Sequence, residues 1–123
     1  MNGNNILLDT NILIHYFNGS PAAKEIIQNN EIYISTISEM ELLAYPKIKT
    51  EEISIIKHFL RAAVIIDIYQ EIKKTAIKIR RFNGLKLPNS IILATSSTLQ
   101  IPLITADKQI VSLKEFEIIN FSG

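Results

Sequence analysis

The hydrophobic residues of this chain fall into short runs that alternate with segments of helical periodicity. Runs rich in β-branched residues predict five strands, at residues 6–9, 32–35, 63–67, 102–105 and 117–120. Helical patterns predict helices at residues 11–18, 21–28, 36–45, 51–60, 69–82 and 88–99. Alternating strands and helices are typical of βαβ units, whose strands are parallel. We therefore expect an α/β fold in which residues 1–123 form a single domain.

Two local patterns refine the helices. Thr36 and Glu39 have the S/T-x-x-E spacing of a capping box, which predicts that a helix begins there. Four residues at spacings of three, four and three predict one buried stripe along the helix at 69–82: Tyr69, Ile72, Ala76 and Ile79.

Composition narrows the class of protein. The chain has 123 residues, 47% of them hydrophobic, and no cysteine, so disulfide bonds and thiol chemistry are excluded. The longest purely apolar run, residues 62–66, is far shorter than the ~18 residues that a membrane helix needs. The polar N-terminus also lacks the pattern of a secretory signal peptide. We therefore expect a cytoplasmic protein.

The basic residues are unevenly distributed although the net charge is only +1. Six of the 13 lie between residues 73 and 86, where no acidic residue interrupts them: Lys73, Lys74, Lys78, Arg80, Arg81 and Lys86. A solvated helix face is the commoner explanation for such a run. A basic stripe is also the electrostatic signature of a nucleic-acid site.

Four polar residues are predicted at or just beyond the ends of strands. Asp9 ends the first strand, Glu41 and Asn89 lie in early turns of two helices, and Asp107 follows the fourth strand. Ligands of open parallel sheets bind beyond the carboxyl ends of the strands. If the first strand is central, all four side chains can converge on one cleft.

Such a convergence of carboxylates favours a cation. Two carboxylates ~5 Å apart repel each other by roughly 3 kcal/mol at an effective dielectric constant near 20. The acids must therefore share protons or bind a cation, and an all-oxygen ligand set suits magnesium or manganese. His15 and His58 show no metal-ligand spacing.

Each acid also has a structural explanation. Asp9 could cap the following helix, Glu41 could be the capping partner of Ser38, and Asp107 could belong to a turn. Their joint placement at strand ends favours a functional site.

Four segments together carry a family resemblance: ILLDTNILI, ISTISEMELLA, GLKLPNSIILATS and IPLITADKQI. In this order and spacing they resemble the PIN-domain nucleases, and more narrowly the VapC-like toxins of type II toxin–antitoxin systems. The resemblance implies a three-layer αβα PIN-like fold with a central parallel sheet of four to five strands.

The resemblance also assigns roles to residues. Asp9, Glu41 and Asp107 match the family's metal-binding acids, which leaves Glu39 as the capping residue. Asn89 stands where the family has another catalytic aspartate. Small polar side chains match positions that orient ligands and phosphate: Thr10, Asn11, Ser38 and Thr105.

The activity that the resemblance implies is that of a magnesium- or manganese-dependent endoribonuclease, which hydrolyses RNA with a metal-activated water. The basic stripe would then bind the RNA backbone. The resemblance further implies a small VapB-like antitoxin as partner and a homodimer.

Asn89 departs from the family pattern. An asparagine can offer a metal its carbonyl oxygen, but it supplies no charge and cannot act as a base. We expect weakened magnesium binding and slow or absent cleavage. Whether the asparagine is native or an engineered replacement stays open.

Three other functions compete with this one. The first is a PIN fold retained only for binding. The second is a phospho-accepting receiver domain with Asp67 as acceptor, against which the single acid of the first strand argues. The third is a haloacid-dehalogenase-like phosphatase, which requires an aspartate where Asn11 stands.

Overall fold

Five parallel strands form the central sheet of the protein, which a computed structural model describes over residues 3–123. The strands are β1 (Asn5–Leu8), β2 (Glu31–Ser35), β3 (Val64–Ile66), β4 (Leu103–Thr105) and β5 (Ile118–Asn120). Their order across the sheet is β3-β2-β1-β4-β5, and every neighbouring pair is parallel. The first strand is therefore central, as convergence of the acids requires.

Seven helices connect and cover the strands within the described part of the chain. They are α1 (Thr10–Phe17), α2 (Pro21–Asn29), α3 (Thr36–Leu43), α4 (Thr50–Ala62), α5 (Gln70–Asn83), α6 (Leu87–Leu99) and α7 (Lys108–Val111). The sequence patterns predicted the first six and missed α7, which has only four residues. Among residues 3–123, no helix combines the length and apolar character needed to span a membrane.

The sheet is buried on both faces. Successive side chains of a strand point to opposite faces, so Leu8 packs in one apolar cluster and Leu7 in another. The Leu8 cluster includes Ile12 of α1 and Ile56 of α4, whereas the Leu7 cluster includes Ile92 of α6. This arrangement confirms the predicted three-layer α/β fold and explains why β1 reads as a continuous apolar run.

The start of α3 differs from the prediction. Ser35 is the N-cap, and its hydroxyl accepts a hydrogen bond of 3.1 Å from the Ile37 backbone N–H. The predicted capping box of Thr36 and Glu39 is therefore wrong, because Thr36 already lies inside the helix. The alternative cap by Ser38 is wrong for the same reason, and this frees Glu41 for other contacts.

The buried stripe of α5 is confirmed except at its first residue. Ile72, Ala76 and Ile79 are buried, but Tyr69 is 42% exposed because it is the N-cap, just before the helix begins. Gly84 ends the helix in the left-handed conformation, with φ of 72°, which glycine adopts without a steric penalty.

Candidate active site

One open pocket of about 380 Å³ lies beyond the carboxyl ends of β1 and β4. Asp9, Glu41, Asn89 and Asp107 all line it, although they come from four separate segments of the chain. The parallel sheet places the ends of β1 and β4 side by side, and the early turns of α3 and α6 supply Glu41 and Asn89 to the same pocket. The structure thus brings the four predicted site positions together.

Asp9 is the most buried charged residue of the pocket, with only 4% of its surface exposed. Its backbone N–H donates a 3.0 Å hydrogen bond to the carbonyl oxygen of Ile104, which fixes it to the end of the sheet. Its Oδ1 accepts from the Thr10 backbone N–H at 2.8 Å, and its Oδ2 accepts from the Thr105 hydroxyl at 2.6 Å. Asp9 is thus also the N-cap of α1, so the capping role and a site role coexist.

Burial raises the pKa of the Asp9 carboxyl above its ordinary value. The negative charges of Asp107 and Glu41 raise this pKa further, whereas the hydrogen bonds from Thr105 and Thr10 lower it. The charged form of Asp9 is therefore destabilised where it stands. A bound cation would offset this by stabilising the charged form of Asp9.

A chain of hydroxyl groups connects α1 to α3. The Thr10 Oγ1 lies 2.6 Å from Glu41 Oε1 and 2.9 Å from the Ser38 Oγ. A hydroxyl has one proton, and the carboxylate can only accept, so Thr10 donates to Glu41 and the Ser38 hydroxyl donates to Thr10. Ser38 and Thr10 are buried, whereas Glu41 is exposed to the pocket. The chain of hydroxyls therefore fixes the orientation of one oxygen of Glu41.

Thr105 connects the two aspartates. Its hydroxyl donates to Asp9 and accepts a 3.0 Å hydrogen bond from the backbone N–H of Asp107. The Oδ1 of Asp107 accepts from the backbone N–H of Ile110 at 3.0 Å, so Asp107 caps α7 rather than forming a simple turn. One buried hydroxyl thus sets the relative position of Asp9 and Asp107.

Among the basic residues of the predicted stripe, Lys86 alone lines the pocket. It precedes α6 directly, and Asn89 lies half-buried in the first turn of that helix. The other five basic residues are exposed on α5: Lys73, Lys74, Lys78, Arg80 and Arg81. Asn11, also predicted as a site residue, is exposed at the pocket wall.

Sequence reasoning missed three wall residues, Ile14, Tyr45 and Pro88. Tyr45 lies in the loop after α3, and the only signal for it was its position just before Pro46. It is the one aromatic side chain in the wall of this pocket among the described residues.

Asp67 lies apart from this pocket. It follows β3, which is an edge strand, and its Oδ1 accepts a 2.9 Å hydrogen bond from the Thr36 hydroxyl. Receiver-like doubly wound folds have the strand order 2-1-3-4-5, which makes the third strand central. The receiver-domain alternative is therefore wrong.

The order of segments and the shared pocket agree with one known family. Residues 6–115 match the family model described as PIN domain. The chain belongs to the PIN-domain family. Because PIN domains are generally nucleases, membership indicates a phosphodiester hydrolase.

This PIN domain shares its fold with chains of solved toxin–antitoxin complexes. It is similar to a chain of a toxin–antitoxin complex from Klebsiella pneumoniae, with 32% identity and a TM-score of 0.84, covering 94% of this chain and 96% of that chain. It shares the fold of a chain of VapBC2 from Rickettsia felis bound to a promoter DNA fragment, with 21% identity and a TM-score of 0.82, covering 96% and 99%. It also shares the fold of a chain of DNA-bound VapBC from Salmonella typhimurium, with 16% identity and a TM-score of 0.83, covering 96% and 98%.

A search of curated protein sequences finds no significant match to this PIN domain. The resemblance to VapC-like PIN toxins expected from the four sequence segments is nevertheless confirmed by the family match and by these structures.

The oxygen atoms that line the pocket are the type of ligand that a hard divalent cation prefers. In residues 3–123, however, no three His, Cys, Asp or Glu side chains are already close enough to form a metal-binding cluster. Magnesium usually keeps several waters and needs only one or two protein carboxylates, which an open pocket allows. The pocket of this PIN domain therefore fits a partly hydrated ion better than an all-protein cage.

Proposed function

We propose that this PIN domain is a magnesium-dependent endoribonuclease of the VapC-like toxin type, weakened by Asn89. The observation that carries the proposal is the shared pocket: Asp9, Glu41, Asn89 and Asp107 line it together with Lys86. This combination supplies oxygen ligands for a cation and a positive charge for a phosphate in one place.

Magnesium, or manganese, would be bound by Asp9, Glu41 and Asp107, and when bound it lowers the pKa of a water and neutralises charge on the phosphodiester. The protein's own contribution is positioning. Thr105 orients Asp9 and Asp107, and the Thr10 hydroxyl orients Glu41. These groups lose little entropy on binding, because their hydrogen bonds already fix them.

RNA is the proposed substrate, and its backbone is attracted by the basic residues. Lys86 would contact a phosphate at the pocket, and the exposed cations of α5 would contact phosphates farther along the strand. Such contacts do not depend on base sequence and weaken as salt concentration rises. Asn11, exposed at the pocket wall, would contact the phosphate, whereas the buried Ser38 would act only through its hydrogen bond to Thr10.

The biological setting is part of the same proposal. The relatives are chains of toxin–antitoxin complexes, which supports a small VapB-like antitoxin as the partner of this chain. A homodimer remains an expectation from the family resemblance, and a cytoplasmic location remains an expectation from the composition of the sequence. A short neighbouring reading frame that encodes a DNA-binding protein would support the antitoxin assignment.

Asn89 sets the expected strength of the activity. A divalent cation and a carboxylate ~4 Å apart interact by roughly 8 kcal/mol at an effective dielectric constant near 20, and desolvation offsets most of this. Even a net loss of ~2.7 kcal/mol weakens metal binding about a hundredfold. The chain with Asn89 should therefore cleave RNA slowly or not at all.

The test is the substitution Asn89→Asp, followed by cleavage of total RNA with and without magnesium. We expect magnesium-dependent cleavage to rise at least tenfold. Equal and measurable cleavage rates for the two proteins would show that position 89 has no part in the reaction.

The matched control adds Asp9→Asn to Asn89→Asp, which should abolish cleavage. The same experiment addresses a second function, a PIN fold kept only for binding, which the neutral Asn89 side chain favours. If Asn89→Asp is also inactive and the chain still binds RNA, the binding function replaces the nuclease.

A further inference from the structure

We propose that a second pocket, next to the active site, receives the base of the nucleotide adjacent to the cleaved phosphate. This base pocket has a volume of about 190 Å³ and lies between α1, α3 and α4. Its apolar walls come from Ile14, Phe17, Leu42, Tyr45, Ile48 and Ile56. The inference rests on the proposed function, since it assumes that RNA lies in the active site.

The base pocket adjoins the active-site pocket directly. Ile14 and Tyr45 line both pockets, so these two side chains are the shared wall. A ligand with its phosphate beside Lys86 and Asp9 can therefore place its neighbouring group against the other side of Tyr45. In RNA that neighbouring group is a nucleobase.

The size and stiffness of the base pocket suit a single ring system. Sites for drug-sized ligands usually have volumes of roughly 300–1,000 Å³, so a volume of 190 Å³ is enough only for a smaller, flat group. Leu42 and Ile56 are buried core residues, and Phe17 and Ile48 pack against the same apolar cluster. The walls are therefore preformed, which lowers the entropic cost of binding.

Tyr45 provides the surface on which a base can stack. Its backbone is fixed by hydrogen bonds from its N–H to Leu42 at 3.3 Å and from the Ile48 N–H to its carbonyl at 3.1 Å. Base–aromatic stacking is tolerant of sequence because every base has a π-face. The aromatic ring thus supplies affinity, and any preference among bases must come from the polar rim.

Three polar residues form the rim of the base pocket, Asn18, Lys47 and Glu52. The Oε1 of Glu52 accepts a 3.0 Å hydrogen bond from the Lys49 backbone N–H, which fixes the orientation of the carboxylate. The second oxygen of the carboxylate can then accept from a ligand. Carboxylates accept from the exocyclic amino group of cytosine, and uracil has no such group. We therefore expect cytosine to bind more tightly than uracil.

The alternative occupant is an apolar side chain of a protein partner. The polar rim and the shared wall with the phosphate-binding pocket both favour a base, because a base has hydrogen-bonding edges and is covalently attached to a phosphate. Binding of a protein side chain is one outcome of the test below.

The test uses the full chain with Asn89 in place, and its probes are phosphomonoesters, which contain no phosphodiester bond to cleave. Cytidine 5′-monophosphate, uridine 5′-monophosphate and the base-free control ribose 5-phosphate are titrated while NMR follows the isoleucine methyl groups. We expect cytidine 5′-monophosphate to shift the methyl signals of Ile14 and Ile48, and ribose 5-phosphate to leave Ile48 unchanged. Equal shifts of Ile48 with all three probes, or no shift with any, would overturn the inference.

Two substitutions separate stacking from hydrogen bonding. Tyr45→Ala should weaken cytidine 5′-monophosphate binding about 5- to 100-fold, whereas Tyr45→Phe should retain it. Glu52→Gln should bring the affinities for the two nucleotides together, because an amide can both donate and accept. Glu51→Gln is the matched control, since Glu51 lies on the same helix turn outside the base pocket, and it should change neither affinity.

The outcomes distinguish this inference from the proposed function. If nucleotides fail to bind here while Asn89→Asp still cleaves RNA, the base pocket is wrong and the nuclease stands. If nucleotides bind here but Asn89→Asp is inactive, the nuclease proposal fails alone. If Tyr45→Ala leaves nucleotide affinity unchanged and instead weakens the binding of a purified antitoxin, the pocket binds a side chain of a protein partner.

Discussion

Leu8 and Asp9 are neighbours at the end of β1, and both are almost fully buried, yet their effects on the fold are opposite. Leu8 is 0% exposed and packs in the apolar cluster of one sheet face. Asp9 is 4% exposed, and burial raises the pKa of its carboxyl. Removing an apolar side chain from water is favourable, whereas removing a carboxylate from water is costly.

The comparison shows that the apolar core and the polar pocket have different roles. The apolar core below the strand ends stabilises the sheet and places the ends of β1 and β4 side by side. The polar layer above it then keeps Asp9 in a place where its charge is unfavourable, with Thr10 and Thr105 as compensating hydrogen-bond donors. Among the described residues, every buried side-chain nitrogen and oxygen has a hydrogen-bond partner.

The largest effect should come from the core. Leu8→Ala leaves a cavity in a fully buried position and should lower the free energy of unfolding by about 3 kcal/mol, measured by urea denaturation. Ile119→Ala is the matched control, because Ile119 is 47% exposed on an edge strand and should change stability by less than about 0.5 kcal/mol. A smaller loss for Leu8→Ala than for Ile119→Ala would refute the assignment of the core.

A smaller effect should follow from removing the Thr105 hydroxyl. Thr105→Val takes a donor from Asp9 and an acceptor from the Asp107 N–H, so it should cost about 2 kcal/mol in urea denaturation. It should also raise the pKa of Asp9 further, because the Thr105 hydrogen bond lowers it. Thr105→Ser keeps the hydroxyl and should lose less stability. If the two variants are equally stable, the hydroxyl does not connect the aspartates.

The smallest effect should have the opposite sign. In the absence of divalent metal at neutral pH, Asp9→Asn should stabilise the fold by about 1 kcal/mol, since it removes a buried charge at a functional site. Asp67→Asn is the control at an exposed strand end, and it should leave stability nearly unchanged.

Comparing the unchanged chain with Asp9→Asn also gives a pH dependence of the folding stability with a defined sign. The pKa of Asp9 is higher in the folded state than the ordinary value of 3.8, so the folded state binds more protons between these two values. The Asp9 contribution to stability is therefore present below pH 3.8 and is lost as the pH rises through the folded pKa. Thermal unfolding in a chelator should show this loss in the unchanged chain and not in Asp9→Asn. A stability gain for the unchanged chain over that range would contradict the burial argument.

The sequence was informative where an element has a clear hydrophobic pattern. The apolar run of β1 and the parallel arrangement implied that Asp9 and Asp107 would meet, because parallel strands end at the same edge. The start of α3 was misplaced because Ser35 and Thr36 are both good capping residues, and only the backbone decides between them.

Other features depend on tertiary packing and leave little trace in the sequence. The hydrogen bond from Thr10 to Glu41 joins residues 31 positions apart and exists because α1 packs beside α3. The bond from Thr105 to Asp9 spans 96 positions. Tyr45 reaches the pocket through the conformation of an irregular loop, for which no periodicity exists.

The central claim is that the pocket lined by Asp9, Glu41, Asp107 and residue 89 binds a divalent ion. Isothermal titration of magnesium tests it most directly, comparing the unchanged chain, Asn89→Asp, and Asn89→Asp combined with Asp9→Asn. We predict that Asn89→Asp binds magnesium about a hundredfold more tightly than the unchanged chain, and that adding Asp9→Asn removes this binding. Equal magnesium affinities in all three proteins would contradict the account.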